Sequence, residues 1–214
     1  MLENNWHKKE EPFLSMSGLG GGSFQQAFLP APAPKVYVDE LFSTFVFDGE
    51  DSATAINNGI DLSGEGGLVW IKNRLQTYNH WWFDTERGVT KRLASSQTNG
   101  EATESKGVTA FNSNGFTVGG SGGDCGFNCG SSNQDYVYWT FRKAPGFFDV
   151  VKYTGNGGTQ NISHSLGTTP RMVIIKKYDG SGDWAVAYMQ GPSLWTGDAY
   201  TGMYLNKTDA RGST

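Results

Sequence analysis

Gly67-Leu68-Val69-Trp70-Ile71-Lys72-Asn73 is an apolar run of strand length, bounded by glycine and asparagine. Similar short runs, either alternating or apolar and ended by Gly, Asn, Asp or Ser, recur from Val36 onward. Such runs are typical of β-strands separated by turns. The sequence predicts seven strands before residue 150, at residues 41–47, 53–56, 67–73, 80–85, 108–111, 115–118 and 136–142.

The spacing of these strands predicts an antiparallel β-sandwich. Residues 42–47 show period-two alternation early on, and Asn114-Gly115 fits a tight hairpin turn between two neighbouring strands. Glycine supplies 30 of the 214 residues and aromatic residues supply 14%, a pairing typical of sheets and turns. Long stretches of Ala, Glu, Lys and Leu are missing from the sequence. The composition therefore favours an all-β fold over a helical bundle.

An internal repeat is the most informative feature of the sequence. Phe47-Asp48-Gly49 matches Tyr153-Thr154-Gly155, and residues 67–72 match residues 171–176. His80-Trp81-Trp82-Phe83 falls opposite Asp183-Trp184-Ala185-Val186, so the offset drifts only from about 106 to about 104 residues. This pattern predicts a duplicated sandwich, with a first β-sandwich at residues 36–146 and a second repeat at 147–214.

The second repeat is expected to be incomplete. Counterparts of Phe111, Phe116 and residues 136–141 would fall beyond Thr214. Two explanations are open: the sequence is part of a longer protein, or the second repeat is completed by another chain, because an open strand edge invites pairing.

Residues 1–35 differ in composition from the rest and are predicted to form an extended arm. Gly18 to Ser23 is a flexible glycine-rich stretch, and Pro30-Ala31-Pro32-Ala33-Pro34 is a stiff spacer. The arm also carries large apolar side chains, which suit docking onto a partner, with packing on the chain's own domain as the alternative. They are Trp6, Phe13, Leu14, Met16, Leu19, Phe24, Phe28 and Leu29.

Charge and hydropathy argue against several classes of partner. The net charge is −4 without a clustered basic face, which argues against nucleic acid as a partner. The longest apolar runs are of strand length, far below the roughly 20 residues that cross a bilayer, so no membrane span is expected. The polar N-terminus does not resemble a signal peptide, and the chain is expected to be made and assembled in the cytoplasm.

Motifs for catalysis and for metal binding are weak. The three histidines, His7, His80 and His164, have no nucleophile or carboxylate beside them in a recognised motif, so we expect no enzymatic activity, no cofactor and no metal. Cys125 and Cys129 leave three alternatives open, namely free thiols, a small disulfide loop or a metal site that would need further ligands.

Two clusters of side chains are candidate sites. Asp84 and Glu86 share one strand face and could serve as paired carboxylates, but a salt bridge to Arg87 is the simpler interpretation. At His80-Trp81-Trp82, neighbouring side chains point to opposite sheet faces, so Trp81 and Trp82 cannot both face one core. The outward ring could contact a subunit or repeat, lie partly buried under a loop, or stack on a glycan.

Longer motifs carry a family resemblance. They are Gly66 to Arg74, Phe83 to Gly88, Trp139 to Val151, Tyr153 to Gly157 and Ser163 to Pro170, together with the run from Met172 to Lys176 and the glycine-rich arm. With these motifs the chain resembles tandem-repeat tail fibre or structural proteins of marine tailed bacteriophages, including cyanophages, over most of residues 10–190. The resemblance implies a lectin-like, concanavalin-type jelly-roll sandwich and supplies no catalytic residues. The loop with Cys125 and Cys129 departs from the family pattern.

The resemblance implies a non-enzymatic virion protein. On this interpretation the chain is the virion-proximal part of a tail fibre: residues 1–30 anchor it to tail or adaptor proteins, and the sandwiches support attachment to a host glycan or receptor. A homotrimer is expected by analogy with phage fibres. The alternatives are a capsid decoration protein and a glycan-binding lectin or glycosidase of the virion.

Overall fold

The computed structural model describes residues 36–120, 126–130, 134–188 and 203–208. All of them belong to one compact unit, Val36–Thr214. A single 3₁₀ turn, Val38–Glu40, precedes the strands, and no α-helix occurs in the described ranges. Twelve strands follow: β1 (Phe42–Asp48), β2 (Thr54–Asn57), β3 (Gly67–Asn73), β4 (Trp81–Asp84), β5 (Lys91–Ala94), β6 (Ala102–Thr103), β7 (Val108–Asn112), β8 (Gly115–Val118), β9 (Asp135–Arg142), β10 (Met172–Ile175), β11 (Ala185–Tyr188) and β12 (Met203–Tyr204).

The strands form three sheets with antiparallel pairing. A six-stranded sheet has the order β1-β9-β3-β4-β5-β6, a three-stranded sheet has the order β2-β8-β7, and β10-β11-β12 form another three-stranded sheet. β9 is the second strand of the large sheet, where it pairs with the edge strand β1 on one side and with β3 on the other. The predicted all-β antiparallel fold is confirmed.

The first two sheets face each other across one hydrophobic core and make a β-sandwich. Period-two alternation decides which side chains enter the core. In β9, Tyr136, Tyr138 and Thr140 are fully buried, whereas the side chains between them lie on the outer face. The core cluster joins both sheets and consists of Ile56, Ile60, Leu62, Val69, Ile71, Trp81, Phe83, Ala94, Val108, Phe116, Val118, Phe127, Tyr136 and Tyr138.

All seven predicted strands are present, with limits within two residues of those expected. The prediction missed β5 and β6, because the Lys-Arg start of β5 and the two residues of β6 show neither alternation nor an apolar run. The hairpin prediction was wrong by one residue: Asn112 pairs with Gly115, so Ser113 and Asn114 form the turn. A Cβ at Gly115 would lie 1.9 Å from the carbonyl oxygen of Ile56, which explains glycine at the start of β8.

Candidate functional site

Trp81 and Trp82 lie on opposite faces of the large sheet, as adjacent strand residues must. Trp81 faces the core, is 8% exposed and has its ring centroid 5.4 Å from that of Phe127. The guanidinium of Arg92 lies over the same indole, 4.1 Å from its centroid, and covers the core at this edge. Trp82 is half-buried on the outer face.

Three tryptophans lie side by side on that outer face, and we call them the aromatic wall: Trp70 of β3, Trp82 of β4 and Trp139 of β9. The strand register places Trp70 directly opposite both others. Its ring centroid is 5.2 Å from that of Trp82 and 5.0 Å from that of Trp139, at interplanar angles of 49° and 58°. Such tilted pairs avoid the unfavourable face-to-face arrangement of ring quadrupoles.

Trp184 attaches the third sheet to this wall. It precedes β11, is only 3% exposed, and contacts Trp82 edge-on with 4.9 Å between ring centroids. Its indole N–H donates to the carbonyl oxygens of Ala94, at 2.9 Å, and Gln97, at 3.0 Å. The side chain therefore combines a buried aromatic contact with a satisfied polar group, the arrangement that makes tryptophan a strong anchor.

His80 supports the aromatic wall from its edge. Its Nδ1 accepts a hydrogen bond from the indole N–H of Trp70 at 3.1 Å, which assigns the imidazole proton to Nε2. Burial lowers the pKa of His80, and the nearby positive charge of Lys72 lowers it further. The ammonium of Lys72 in turn donates to the carbonyl oxygens of Asn73, Gln76 and Tyr78 and closes the loop before His80. Both residues hold the loop and the wall in place.

A cavity of about 280 Å³ lies beside Trp81, which forms part of its lining. It is lined by Asn79, Trp81, Arg92, Ala94, Gln97, Asn99, Gly100 and Ala102. Amide side chains, one guanidinium and one aromatic ring thus share a concave surface, which is the donor and acceptor set that suits a small polar ligand. Two polar groups of this lining, the indole N–H of Trp81 and the Nε of Arg92, make no hydrogen bond to any described residue, although the Arg92 Nε lies 3.8 Å from the carboxylate of Glu104.

The two candidate carboxylates each hold a cation. Asp84 is 5% exposed and accepts from the Nε of Arg87 at 2.6 Å, while Glu86 accepts from the ammonium of Lys143 at 2.7 Å. The hydrogen bond that the Lys143 ammonium donates to Glu86 is the main reason that the pKa of Lys143 is raised. Arg87 also donates to the carbonyl oxygens of Lys91 and Trp82, so this ion pair joins β4 to the start of β5.

The remaining sequence predictions fall partly outside the described residues. All arm residues, from Trp6 to Leu29, lie there, as does Cys125. Cys129 is disulfide-bonded, and its pairing with Cys125 stays a prediction. No group of three metal-ligating side chains occurs in the described ranges, and none of their helices is long and apolar enough to span a bilayer.

Sequence reasoning did not select Trp184 or the cavity residues Arg92, Gln97 and Asn99. A signal for Trp184 existed, because it belongs to the repeat segment matched to His80 through Phe83. Arg92 belongs to β5, and Gln97 and Asn99 follow this strand, which was not predicted because its sequence is polar.

These features define an antiparallel β-sandwich protein with a further three-stranded sheet anchored on a tryptophan-lined face. The chain belongs to the family described as "Domain of unknown function (DUF7483)", whose family model matches residues 38–214. No curated protein and no solved structure matches the chain.

Proposed function

We propose that this protein is a non-enzymatic structural component of a tailed-phage virion, the virion-proximal part of a tail fibre. Residues 1–30 anchor it to tail or adaptor proteins, and the β-structure from Val36 onward supports host attachment. The sequence motifs shared with tandem-repeat phage structural proteins support this assignment. The proposal includes assembly in the host cytoplasm and a homotrimeric state.

The observation that carries the proposal is the anchoring of Trp184. A fibre must hold successive β-units in a fixed order, since a shaft with freely rotating units would not position a distal receptor-binding surface. The edge contact with Trp82 and the hydrogen bonds to the carbonyls of Ala94 and Gln97 fix the third sheet against the sandwich. Buried tryptophans in well-packed contacts are among the side chains that contribute most to the stability of an interface.

The mechanism is tethering combined with multivalency. Several copies on one particle hold weak surface contacts at high effective concentration, because the second binding event is intramolecular. Avidity then exceeds the affinity of any single contact by about 10²–10⁴ without a catalytic step.

Cryo-electron microscopy of particles that carry this protein tests the assignment. We expect density for the sandwich at the tail, and loss of the protein from particles that carry the double substitution Phe13→Ala and Leu14→Ala. The matched control is Lys8→Ala with Lys9→Ala, which changes the same arm but leaves its apolar side chains. Density on the capsid shell would replace the fibre assignment with capsid decoration, and absence from particles would refute a virion role. Native mass spectrometry tests the trimer, which a monomer or hexamer would refute.

A second candidate function, glycan binding, is favoured by the cavity beside Trp81. Asn79, Gln97 and Asn99 offer amide donors and acceptors next to an aromatic ring and the cation Arg92. A glycan array with the full chain tests it: binding that Gln97→Ala and Asn99→Ala together abolish, while Gln76→Ala outside the cavity leaves it unchanged, would support a lectin. An array without any bound glycan would reject it.

A further inference from the structure

The third sheet repeats the strand pairing of the large sheet at fixed offsets. β3 and β4 pair with Ile71 opposite Trp81, and β10 and β11 pair with Ile175 opposite Ala185, so both partners lie 104 residues further along (175 against 71, 185 against 81). The third strands, β5 and β12, pair in the same way, but the segment that leads to β12 is six residues longer than the one that leads to β5. Trp81 is opposite Ala94 in β5, and Ala185 is opposite Tyr204 in β12, where the offset is 110 residues (204 against 94).

Hydrogen bonds outside the strands recur at the same offsets. Ser95 donates its N–H to the carbonyl of His80, and Leu205 donates its N–H to the carbonyl of Trp184. In the first unit, the side chain of Ser96 accepts from the N–H of His80, and Lys72 donates to the carbonyl of Tyr78, two residues before His80. In the second unit, the side chain of Asn206 accepts from the N–H of Trp184, and Lys176 donates to the carbonyl of Gly182, two residues before Trp184. Chance similarity of short strands would not reproduce these corner contacts.

The two units differ in what lies beside the first strand. β3 pairs with β9 along all seven of its residues, Gly67–Asn73. Its equivalent β10 is the outer strand of its sheet within the part of the chain that the structure describes. The corresponding core face is also less covered: Val69 and Ile71 are fully buried, whereas Val173 and Ile175 are only half-buried.

We propose that β10 is a docking edge that accepts an extended segment of a partner chain, paired antiparallel in the way that β9 pairs with β3. The first unit supplies the template for its occupant. The segment alternates in the pattern of β9, whose Thr140 and Tyr138 lie opposite Val69 and Ile71, the equivalents of Val173 and Ile175. Main-chain hydrogen bonds would provide affinity, and the inward side chains would provide specificity.

The template also identifies the main-chain groups that face the open edge. On the β9 side of β3, Lys143 donates to the carbonyl of Gly66 and Arg74 donates to that of Asp135, whereas Gly67 accepts from Thr85 on the β4 side. Main-chain groups of successive strand residues alternate between the two neighbours. Residues at even-numbered positions therefore face β9, and their equivalents in β10 are Met172 and Ile174.

A peptide-binding experiment tests the proposal. The probe is a fluorescently labelled peptide of residues 134–143, which carries the β9 sequence, added to the full chain and followed by fluorescence anisotropy. Its control is a scrambled peptide of the same composition. Proline at an edge position removes the outward N–H and is tolerated there. We expect Ile174→Pro to weaken binding at least tenfold, and the matched Ile174→Thr, which keeps the N–H, to weaken it less than threefold.

Hydrogen exchange locates the bound peptide and checks the fold. Peptide should slow exchange at residues 172–175 and leave β3 unchanged. If Ile174→Pro raises exchange throughout β10–β12, Met172→Pro at the first residue of the strand replaces it. Equal binding of the scrambled peptide, or binding unaffected by both prolines, would overturn the proposal. A dimer of the chain that Ile174→Pro dissociates, without peptide binding, would assign the edge to a second copy instead. The proposal does not depend on the virion assignment.

Discussion

Replacing Trp184 with alanine tests whether this side chain anchors the third sheet. Trp184 is 3% exposed, and full burial of an aromatic side chain removes about 150–250 Å² from water, worth roughly 4–6 kcal/mol at about 25 cal/mol/Å². Tryptophan-to-alanine substitutions in cores cost about 3–5 kcal/mol, and we expect Trp184→Ala to fall in that range. The conservative Trp184→Phe keeps most of the ring contact with Trp82 but loses the indole N–H, so it should cost about 1–2 kcal/mol.

Urea unfolding followed by far-UV circular dichroism measures these differences. The matched control is Tyr188→Ala in the adjacent strand β11, because Tyr188 is 65% exposed and its removal should change stability by less than about 0.5 kcal/mol. Hydrogen exchange should show that Trp184→Ala loosens β10–β12 before the core of the sandwich. Equal stabilities for Trp184→Ala and Tyr188→Ala would refute the anchoring role, and with it the main support for a fixed series of units.

Three further predictions concern the ion pair, a close glycine contact and the histidine. Arg87→Ala leaves the buried carboxylate of Asp84 without its cation and should lower the free energy of unfolding in urea by about 3–5 kcal/mol. The control Arg74→Ala, at a 47% exposed side chain, should lower it by only about 0–1 kcal/mol. Similar losses of stability for the two variants would contradict this. A Cβ at Gly49 would lie 2.1 Å from the carbonyl oxygen of Cys129, so Gly49→Ala should lower stability by about 1–3 kcal/mol, while Gly155→Ala, with open space around its Cβ, should change it by less than about 0.5 kcal/mol in the same assay. Because the folded-state pKa of His80 lies below its ordinary value of 6.5, the unfolded state binds more protons as the pH falls through 6.5, and stability should decrease over that window. Thermal melts should show a smaller decrease for His80→Gln. The same pH profile for the two proteins would contradict this.

Strand positions were accessible from the sequence where side chains alternate or form apolar runs. The limits of β3 and β8 agree with prediction residue for residue, because glycine and polar residues end both runs. β5 was not predicted, because the polarity of its residues does not indicate which side chains face the core. The strand begins with two charged residues, Lys91 and Arg92, yet the guanidinium of Arg92 lies over Trp81. Only the position of the neighbouring strand makes that arrangement favourable.

In the candidate site too, the sequence predicts local orientation but not long-range contacts. Strand parity predicted that Trp81 and Trp82 face opposite ways, but the choice of which ring enters the core depends on where the second sheet lies. Trp184 is harder still, since its burial results from contacts with residues about 90 positions earlier, at Ala94 and Gln97. Local periodicity contains no information about such a contact. The repeat in the sequence only approximates its place, because it sets Trp184 opposite Trp81, one residue from His80, which is its counterpart in the strand register.

The aromatic wall of the sandwich is not repeated in the third sheet. A lone sandwich with Trp70, Trp82 and Trp139 on its outer face would expose a large apolar surface to water, and the third sheet covers part of that surface through Trp184. At the corresponding positions of the third sheet, Trp70 and Trp82 are replaced by Ile174 and Val186. Aliphatic side chains cannot form the edge-on aromatic contact that seats Trp184. At these two positions the third sheet therefore lacks the aromatic rings against which Trp184 packs, so it does not repeat this part of the wall.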